Sequence, residues 1–217
     1  MIKHLALVFA LCVPSAVAAD EDQFVFDNLT GTFYHELAHA LVDQLDLAIF
    51  GQEEDAADVL AAYLITEWHE GAEVRRLGRH VALTFFSDYF SDERSGRDVV
   101  WDGVHGPAKQ RMYNHLCVMI GSDPDGLSDI GTTFEMERGR LKDCDTEYDA
   151  AKFSWGAVID GLIEGKGEGQ LIVTGIDSYM NRFVGQWAQA EIARINSVIT
   201  FPNDIPVAVI KCGQSNA

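Results

Sequence analysis

The chain has 217 residues, of which 47% are hydrophobic, enough to bury the core of one domain or at most two. Its 16 basic and 34 acidic side chains give a formal net charge of −18 at pH 7. This charge argues against binding to nucleic acids or anionic membranes through a broad electrostatic surface, since phosphate contacts need clustered lysine and arginine. The acidity itself is typical of a solvated surface, and a preference for cationic substrates is the alternative.

Residues 1–19 have the pattern of a signal peptide. Lys3 supplies the positive charge, Leu5 to Val13 form a short apolar core, and small residues suited to cleavage follow. Cleavage is predicted after Ala18 or Ala19. The apolar core is too short to span a bilayer, and no later run is long and apolar enough to do so. We therefore expect residues 20–217 to form a single domain, exported to the periplasm or the extracellular space, with no membrane span.

A helix that carries a metal-binding motif is predicted next. Apolar residues recur at helical spacing over residues 33–45, and Asn28 or Thr30 is suited to cap the N-terminus of this helix. One apolar stripe is expected to face the core, and the adjacent stripe, which carries two histidines, is expected to line a cleft.

The motif on this helix is H-E-x-x-H, over residues 35–39. At positions i and i+4, His35 and His39 share one face with Cβ atoms about 5–6 Å apart, so two imidazoles can bind one zinc ion. Glu36 is turned by about 100° around the helix. It is too far round to share the metal but close enough to polarise the attacking water, which is the role of this residue in metalloproteases.

A second helix, predicted over residues 53–68, supplies the third ligand. A catalytic zinc site has three protein ligands and an open fourth position. We assign the third ligand to Glu54, with Glu53 and Asp55 as the alternative acids. Asp58 lies one turn further along the same face. Its carboxylate can accept a hydrogen bond from the non-ligating ring N–H of either histidine, which orients that ligand.

A charged, glycine-rich stretch over residues 91–104 is predicted to be a loop that borders or covers the cleft. His105 follows it, just before a helix predicted over residues 107–120. We expect His105 to donate a hydrogen bond to the oxyanion that develops on the attacked carbonyl. Three alternatives stay open. His105 can be an ordinary loop or cap residue, or a structural partner of the acidic second helix. Tyr113 or Arg111 can instead be the donor, although pairing of Arg111 with a carboxylate is favoured.

The remaining pattern predicts an α+β fold that is predominantly helical with a small β-sheet. The further predicted elements are a helix over residues 70–90, a helix over residues 134–163, a strand over residues 170–174, a helix over residues 176–195 and a strand over residues 205–211.

Two blocks resemble known peptidases. These are F-Y-H-E-L-A-H-A-L over residues 33–41 and G-Q-E-E-D-A-A-D over residues 51–58. H-E-x-x-H followed by E-x-x-A-D is similar to the zinc peptidases whose third ligand is a glutamate, the gluzincins. More closely, the chain resembles a bacterial family described as "putative metallopeptidases". Weaker similarity continues at His105, Q-R-M-Y-N over residues 110–114, Cys117, Gly121, Cys144 and Trp155. The resemblance implies a zincin-like fold and a zinc-dependent hydrolase.

Three cysteines remain after the signal peptide, in an oxidising compartment where disulfides persist. Three is odd, so at most one internal bridge forms. Because Cys117 and Cys144 both lie in the part that resembles the family, the resemblance implies that they pair and that Cys212 is left over. The ending from Cys212 is similar to a family segment that usually continues into another strand and a partner cysteine. Either this member is shorter or its sequence continues.

The functional hypothesis is a secreted or periplasmic zinc-dependent metallopeptidase that acts on a peptide or protein. Zn²⁺ is expected on His35, His39 and Glu54, with Glu36 as the general base. The first alternative is a non-catalytic zincin-like envelope protein that binds metal or a protein partner. A second is a zinc hydrolase that acts on a non-peptide amide, such as a cell-wall crosslink. The sequence carries no signal for an oligomeric state.

Overall fold

The computed structural model describes the backbone of residues 16–176 and 182–210, and the side chains of these residues from position 21 on. The protein is mostly helical with a small sheet, as predicted. Its elements are α1 (Ala16–Leu45), α2 (Glu53–Trp68), α3 (Ala72–Ser95), α4 (Ala108–Ser122), α5 (Pro124–Thr133), α6 (Arg138–Lys142), α7 (Cys144–Ala151), a π-helical turn (Lys152–Gly156), α8 (Ala157–Glu164), β1 (Leu171–Ile176), α9 (Arg182–Asn196) and β2 (Ile205–Val209).

Helices α1 to α4 pack around the main core. At Gly78, α3 comes so close to α4 that a Cβ atom there would collide with the side chain of Met119. Burial of each large apolar side chain stabilises the fold by about 1.5–3 kcal/mol. Within this core α1 packs directly against α2, and these two helices carry the predicted ligands. Fully buried core side chains include Tyr34, Leu41, Leu60, Leu64, Ile65, Leu77, Met112, Leu116 and Met119.

The first helix is longer than predicted, and the predicted N-cap at Asn28 or Thr30 is wrong. Asn28 Nδ2 donates to the carbonyl of Phe24, and Thr30 Oγ1 donates to the carbonyl of Phe26. Both side chains thus bond to the preceding turn of the same helix, so neither caps a terminus. The predicted cleavage point falls near the start of α1 and stays a prediction. The apolar core of the signal peptide and Cys212 lie outside the described residues.

The segment predicted as one helix over residues 134–163 forms α6 and, from Cys144 to Glu164, a continuous run of α7, the π-helical turn and α8. Two contacts attach this run to the rest of the protein. Cys144, at the start of α7, forms a disulfide with Cys117 of α4. Trp155, in the π-helical turn, donates its ring N–H to the carbonyl of Ala56 on α2 at 3.0 Å.

The C-terminal part forms a small βαβ unit. Strands β1 and β2 pair in parallel, from Leu171 opposite Ile205 to Ile176 opposite Val209, with α9 between them in sequence. These elements lie close to their predicted positions. Within the ranges that the structure describes, no helix combines the length and the apolar character needed to cross a membrane.

Candidate metal centre

The two histidines of the motif lie on one face of α1. The rings of His35 and His39 meet edge to face with centroids 5.0 Å apart, and their Nε2 atoms are 3.3 Å apart. Both side chains are partly buried. The i, i+4 spacing on a regular helix is the cause of this convergence.

Glu54 reaches the same point from the first turn of α2. Its Oε2 atom lies 3.1 Å from His35 Nε2 and 3.5 Å from His39 Nε2. Because α1 and α2 pack side by side, the start of α2 faces the middle of α1. The structure thus brings together the three residues predicted as ligands.

The spacing of these three atoms can be compared with that of zinc ligands. In a tetrahedral site with bonds of about 2.0–2.1 Å, two ligand atoms lie about 3.3–3.4 Å apart. The three observed separations are 3.1, 3.3 and 3.5 Å. The donor set of two imidazoles and one carboxylate is also one that catalytic zinc sites use. The residues present therefore fit a zinc ion.

The Nδ1 atom of each histidine lies within hydrogen-bonding distance of a carboxylate. His35 Nδ1 lies 2.9 Å from Asp58 Oδ1, and His39 Nδ1 lies 2.7 Å from Glu53 Oε1. An ionised carboxylate only accepts hydrogen bonds, so these two contacts favour the tautomer with the proton on Nδ1. In that tautomer the Nε2 lone pairs are the ones that can bind a metal. Burial alone would lower the pKa of His35, but the hydrogen bond and charge of Asp58 outweigh it and the pKa is raised.

Asp58 is held in turn by Arg111 of α4. The guanidinium makes two hydrogen bonds to the carboxylate, Nε to Oδ2 at 2.6 Å and a terminal nitrogen to Oδ1 at 2.8 Å. Burial alone would raise the pKa of Asp58, but the hydrogen bonds and charges of Arg111 and His35 lower it to about 2. Asp58 of α2 is therefore a fixed anion that contacts His35 of α1 and Arg111 of α4.

Glu36 lies beside this centre, on the wall of a cavity of about 260 Å³ that also touches His35, Asp58, Arg111 and His115. We call it the inner cavity. Glu36 itself is exposed. Its carboxylate is thus accessible to water and to a substrate that enters the inner cavity, whereas the ligand atoms meet on the neighbouring stripe of α1.

His105 lies in the loop between α3 and α4, and its side chain is 47% exposed. Its Nε2 atom is 2.9 Å from Glu54 Oε2, and its ring stacks on that of His35 with centroids 6.3 Å apart. One ligand atom from each of His35, Glu54 and His105 can be chosen so that all lie within 4.8 Å of one another. This geometry suits either a donor beside the metal or a further ligand.

The two alternative donors are engaged elsewhere. Tyr113 donates its hydroxyl to the carbonyl of Phe134 at 3.2 Å. Arg111 is paired with Asp58, which is the structural pairing that the sequence favoured.

Sequence reasoning missed one partner in the centre itself. The sequence offers Glu53 only as an alternative to Glu54, but in the structure its Oε1 atom contacts Nδ1 of His39. Three consecutive acids open α2, and only the rotation of that helix against α1 decides which carboxylate meets which nitrogen. The sequence contained the signal, an acidic run, but could not rank its members.

The chain was compared with known protein families, curated proteins and solved structures. The sequence model of a family described as "Putative metallopeptidase" matches residues 10–159, a range that contains all the residues of the centre. No curated protein and no solved structure matches the chain. Because the matched range is more than half of the sequence, the chain belongs to this metallopeptidase family.

Proposed function

We propose that the protein is a zinc-dependent peptidase with a zincin-like active site. His35, His39 and Glu54 hold the metal, and Glu36 is the general base. The observation that carries the proposal is the set of separations of 3.1–3.5 Å among the three proposed ligand atoms, with an exposed carboxylate one residue after the first histidine. A purely structural zinc site has no need of that carboxylate.

When bound, the zinc ion supplies Lewis acidity that makes water a better nucleophile near neutral pH. Glu36 accepts a proton from the attacking water and delivers it to the leaving amine. His105 donates a hydrogen bond to the carbonyl oxygen as negative charge develops there. Asp58 and Glu53 keep the two histidines in the Nδ1-protonated tautomer, and Arg111 compensates the charge of Asp58.

We also propose that the protein works outside the cytoplasm. The support is the disulfide between Cys117 and Cys144, together with the signal-peptide pattern of residues 1–19. N-terminal sequencing of the exported protein tests this, with a new terminus at Ala19 or Asp20 as the expected result. Protein found only in the cytoplasm, with Met1 still in place, would contradict it.

The function is tested by measuring zinc per chain and peptide hydrolysis in the wild type, His39→Ala and Glu36→Gln. We expect about one zinc per chain in the wild type, a large loss in His39→Ala, and full occupancy in Glu36→Gln. Hydrolysis by Glu36→Gln should fall by about 10²- to 10⁴-fold, the usual contribution of a general base. A folded wild type that binds no added zinc would refute the proposal, as would full activity in Glu36→Gln.

A second candidate is a non-catalytic metal-binding protein. It is favoured by one observation, the short distance of 2.9 Å between His105 Nε2 and Glu54 Oε2. If His105 were a fourth ligand, the site would be closed, as structural zinc sites are. The zinc content of a His105 variant separates the two candidates.

A further inference from the structure

A second, larger cavity lies beside the metal centre, and we call it the outer cleft. It is bounded by the second half of α3, the loop of residues 97–107 and the first half of α4, and its volume is about 930 Å³. Phe85, His105 and Arg111 line both the outer cleft and the inner cavity. The two cavities therefore share a wall, and the outer cleft meets the proposed reaction centre at His105.

The walls of the outer cleft carry exposed apolar side chains. On the loop, Val99 is 48% exposed, Val100 63% and Trp101 78%. Tyr89 of α3 and Tyr113 of α4 face the same cleft. Grouped apolar side chains on a cleft rim are characteristic of binding surfaces, and tryptophan and tyrosine contribute much of the contact energy in such surfaces.

The positively charged side chains of the cleft already have partners. Lys109 lies over the ring of Tyr89, with its Nζ atom 4.7 Å from the ring centroid. Each arginine of the wall is paired with a carboxylate, in the pairs Arg97–Asp92, Arg111–Asp58 and Arg140–Glu147. Asp88 and Glu93 add further negative charge. The cleft is thus poorly suited to phosphates or acidic peptides and better suited to neutral, apolar groups.

We propose that the outer cleft binds an extended segment of a peptide substrate with large apolar side chains, and places the bond to be cleaved at the His105 end. The proposal rests on the peptidase function and adds the substrate class. The volume is near the top of the range of about 300–1,000 Å³ for ligand sites, so it accommodates several residues rather than one side chain. Aromatic and aliphatic substrate side chains would pack on Trp101, Tyr89 and the two valines.

The test measures binding to Glu36→Gln, which is expected to keep its zinc without cleaving the peptide. The probes are two blocked octapeptides of equal length without tryptophan, one with leucine and phenylalanine at alternate positions and one with serine and glutamate there. We expect the apolar peptide to bind at least tenfold more tightly and to shift the tryptophan emission to shorter wavelength. Combining Trp101→Phe with Glu36→Gln should remove most of that emission shift, since Trp101 is the tryptophan that lines the outer cleft.

Variants locate the bound peptide. Trp101→Ala combined with Tyr89→Ala should weaken binding of the apolar peptide at least tenfold, and in the active enzyme should raise KM more than it lowers kcat. The matched control is Phe153→Ala, an aromatic residue that is 86% exposed in the π-helical turn, away from the cleft. Phe153→Ala should change neither the affinity for the apolar peptide nor KM.

Different experimental results would refute the inference about the outer cleft and the proposed peptidase function. Equal binding of the two peptides, or binding that is insensitive to the Trp101 and Tyr89 changes, would overturn the inference even if hydrolysis is observed. Binding to phosphatidylcholine vesicles but to neither peptide would overturn it as well. Absence of hydrolysis with intact, Trp101-dependent peptide binding would refute the peptidase function and leave the cleft as a peptide-binding surface.

Discussion

At the residue scale, the role of His105 determines whether the centre is open or closed. We predict that His105→Ala keeps about one zinc per chain and lowers kcat by about 10²-fold or more, the usual cost of losing a hydrogen-bond donor to the oxyanion. His105→Gln, which retains an N–H donor, should recover part of kcat. Zinc content and kcat are measured on the same preparations. Loss of zinc in His105→Ala would instead identify His105 as a ligand and support the non-catalytic candidate.

His115 gives a pH-dependent prediction at the same scale. It is 2% exposed, and burial lowers its pKa to about 4. In the unfolded chain its pKa is near the usual value of about 6.5. Between these two values the unfolded state binds more protons, so His115 makes the protein less stable as the pH falls from about 6.5 to about 4.

We therefore predict that the free energy of unfolding of the wild type, relative to that of His115→Gln, falls by an amount on the order of 3 kcal/mol over this pH range. Urea titrations at several pH values, with a chelator present, measure it. Above pH 7 the difference between the two proteins should be constant. A difference that stays constant down to pH 4 would contradict the prediction.

At the element scale, α9 holds the helix that carries the motif. Tyr34, the residue before His35, is fully buried, and its hydroxyl donates to Glu191 at 2.7 Å and accepts from Arg194 at 2.5 Å. Burial raises the pKa of Tyr34, and the charge of Glu191 raises it further. The tyrosine is thus a neutral donor locked between two charged partners. In this way a helix outside the matched range of residues 10–159 holds the helix that carries the proposed metal ligands.

We predict that Arg194→Met lowers the free energy of unfolding by about 2 kcal/mol, because it leaves Glu191 nearly buried without its cation. The value is below the usual cost for a buried pair because Arg194 is still 32% exposed. The control is Arg75→Met, whose pair with Asp129 is exposed on both sides and whose loss should cost less than about 1 kcal/mol. Chemical denaturation measures the free energy of unfolding of both variants. An equal decrease in the two would contradict a special role for α9.

The same scale shows what the sequence could and could not predict. Apolar periodicity predicted α2, α3 and α4 well, and the i, i+4 spacing predicted that two imidazoles share one face. These local patterns failed where contacts between distant parts of the chain determine the structure. Asp27, 2% exposed, is paired with Arg76 and His80 of α3, so α1 runs through a region predicted to precede it. The approach of His105 to Glu54 depends on a loop conformation that no local pattern encodes.

At the scale of the whole molecule, the disulfide between Cys117 and Cys144 joins α4 to α7 across 27 residues. Both cysteines are buried in the core, and Cys117 lies in the second half of α4, whereas Arg111 lies in its first turn. Closing a loop of this length is expected to stabilise the fold by about 3.5 kcal/mol through the entropy of the unfolded chain. The bond should therefore matter for global stability rather than for metal binding.

We predict that the double variant Cys117→Ser/Cys144→Ser lowers Tm by about 10 °C and still binds about one zinc per chain at 25 °C. Calorimetry of the wild type, the double variant and Cys212→Ser measures this, and Cys212→Ser should melt like the wild type because it leaves the bond intact. An unchanged Tm in the double variant would contradict the stabilising role. The predicted loss also links the fold to its compartment. Chain kept in a reducing cytoplasm would lack the bond and unfold at lower temperature, so full stability would be reached only after export.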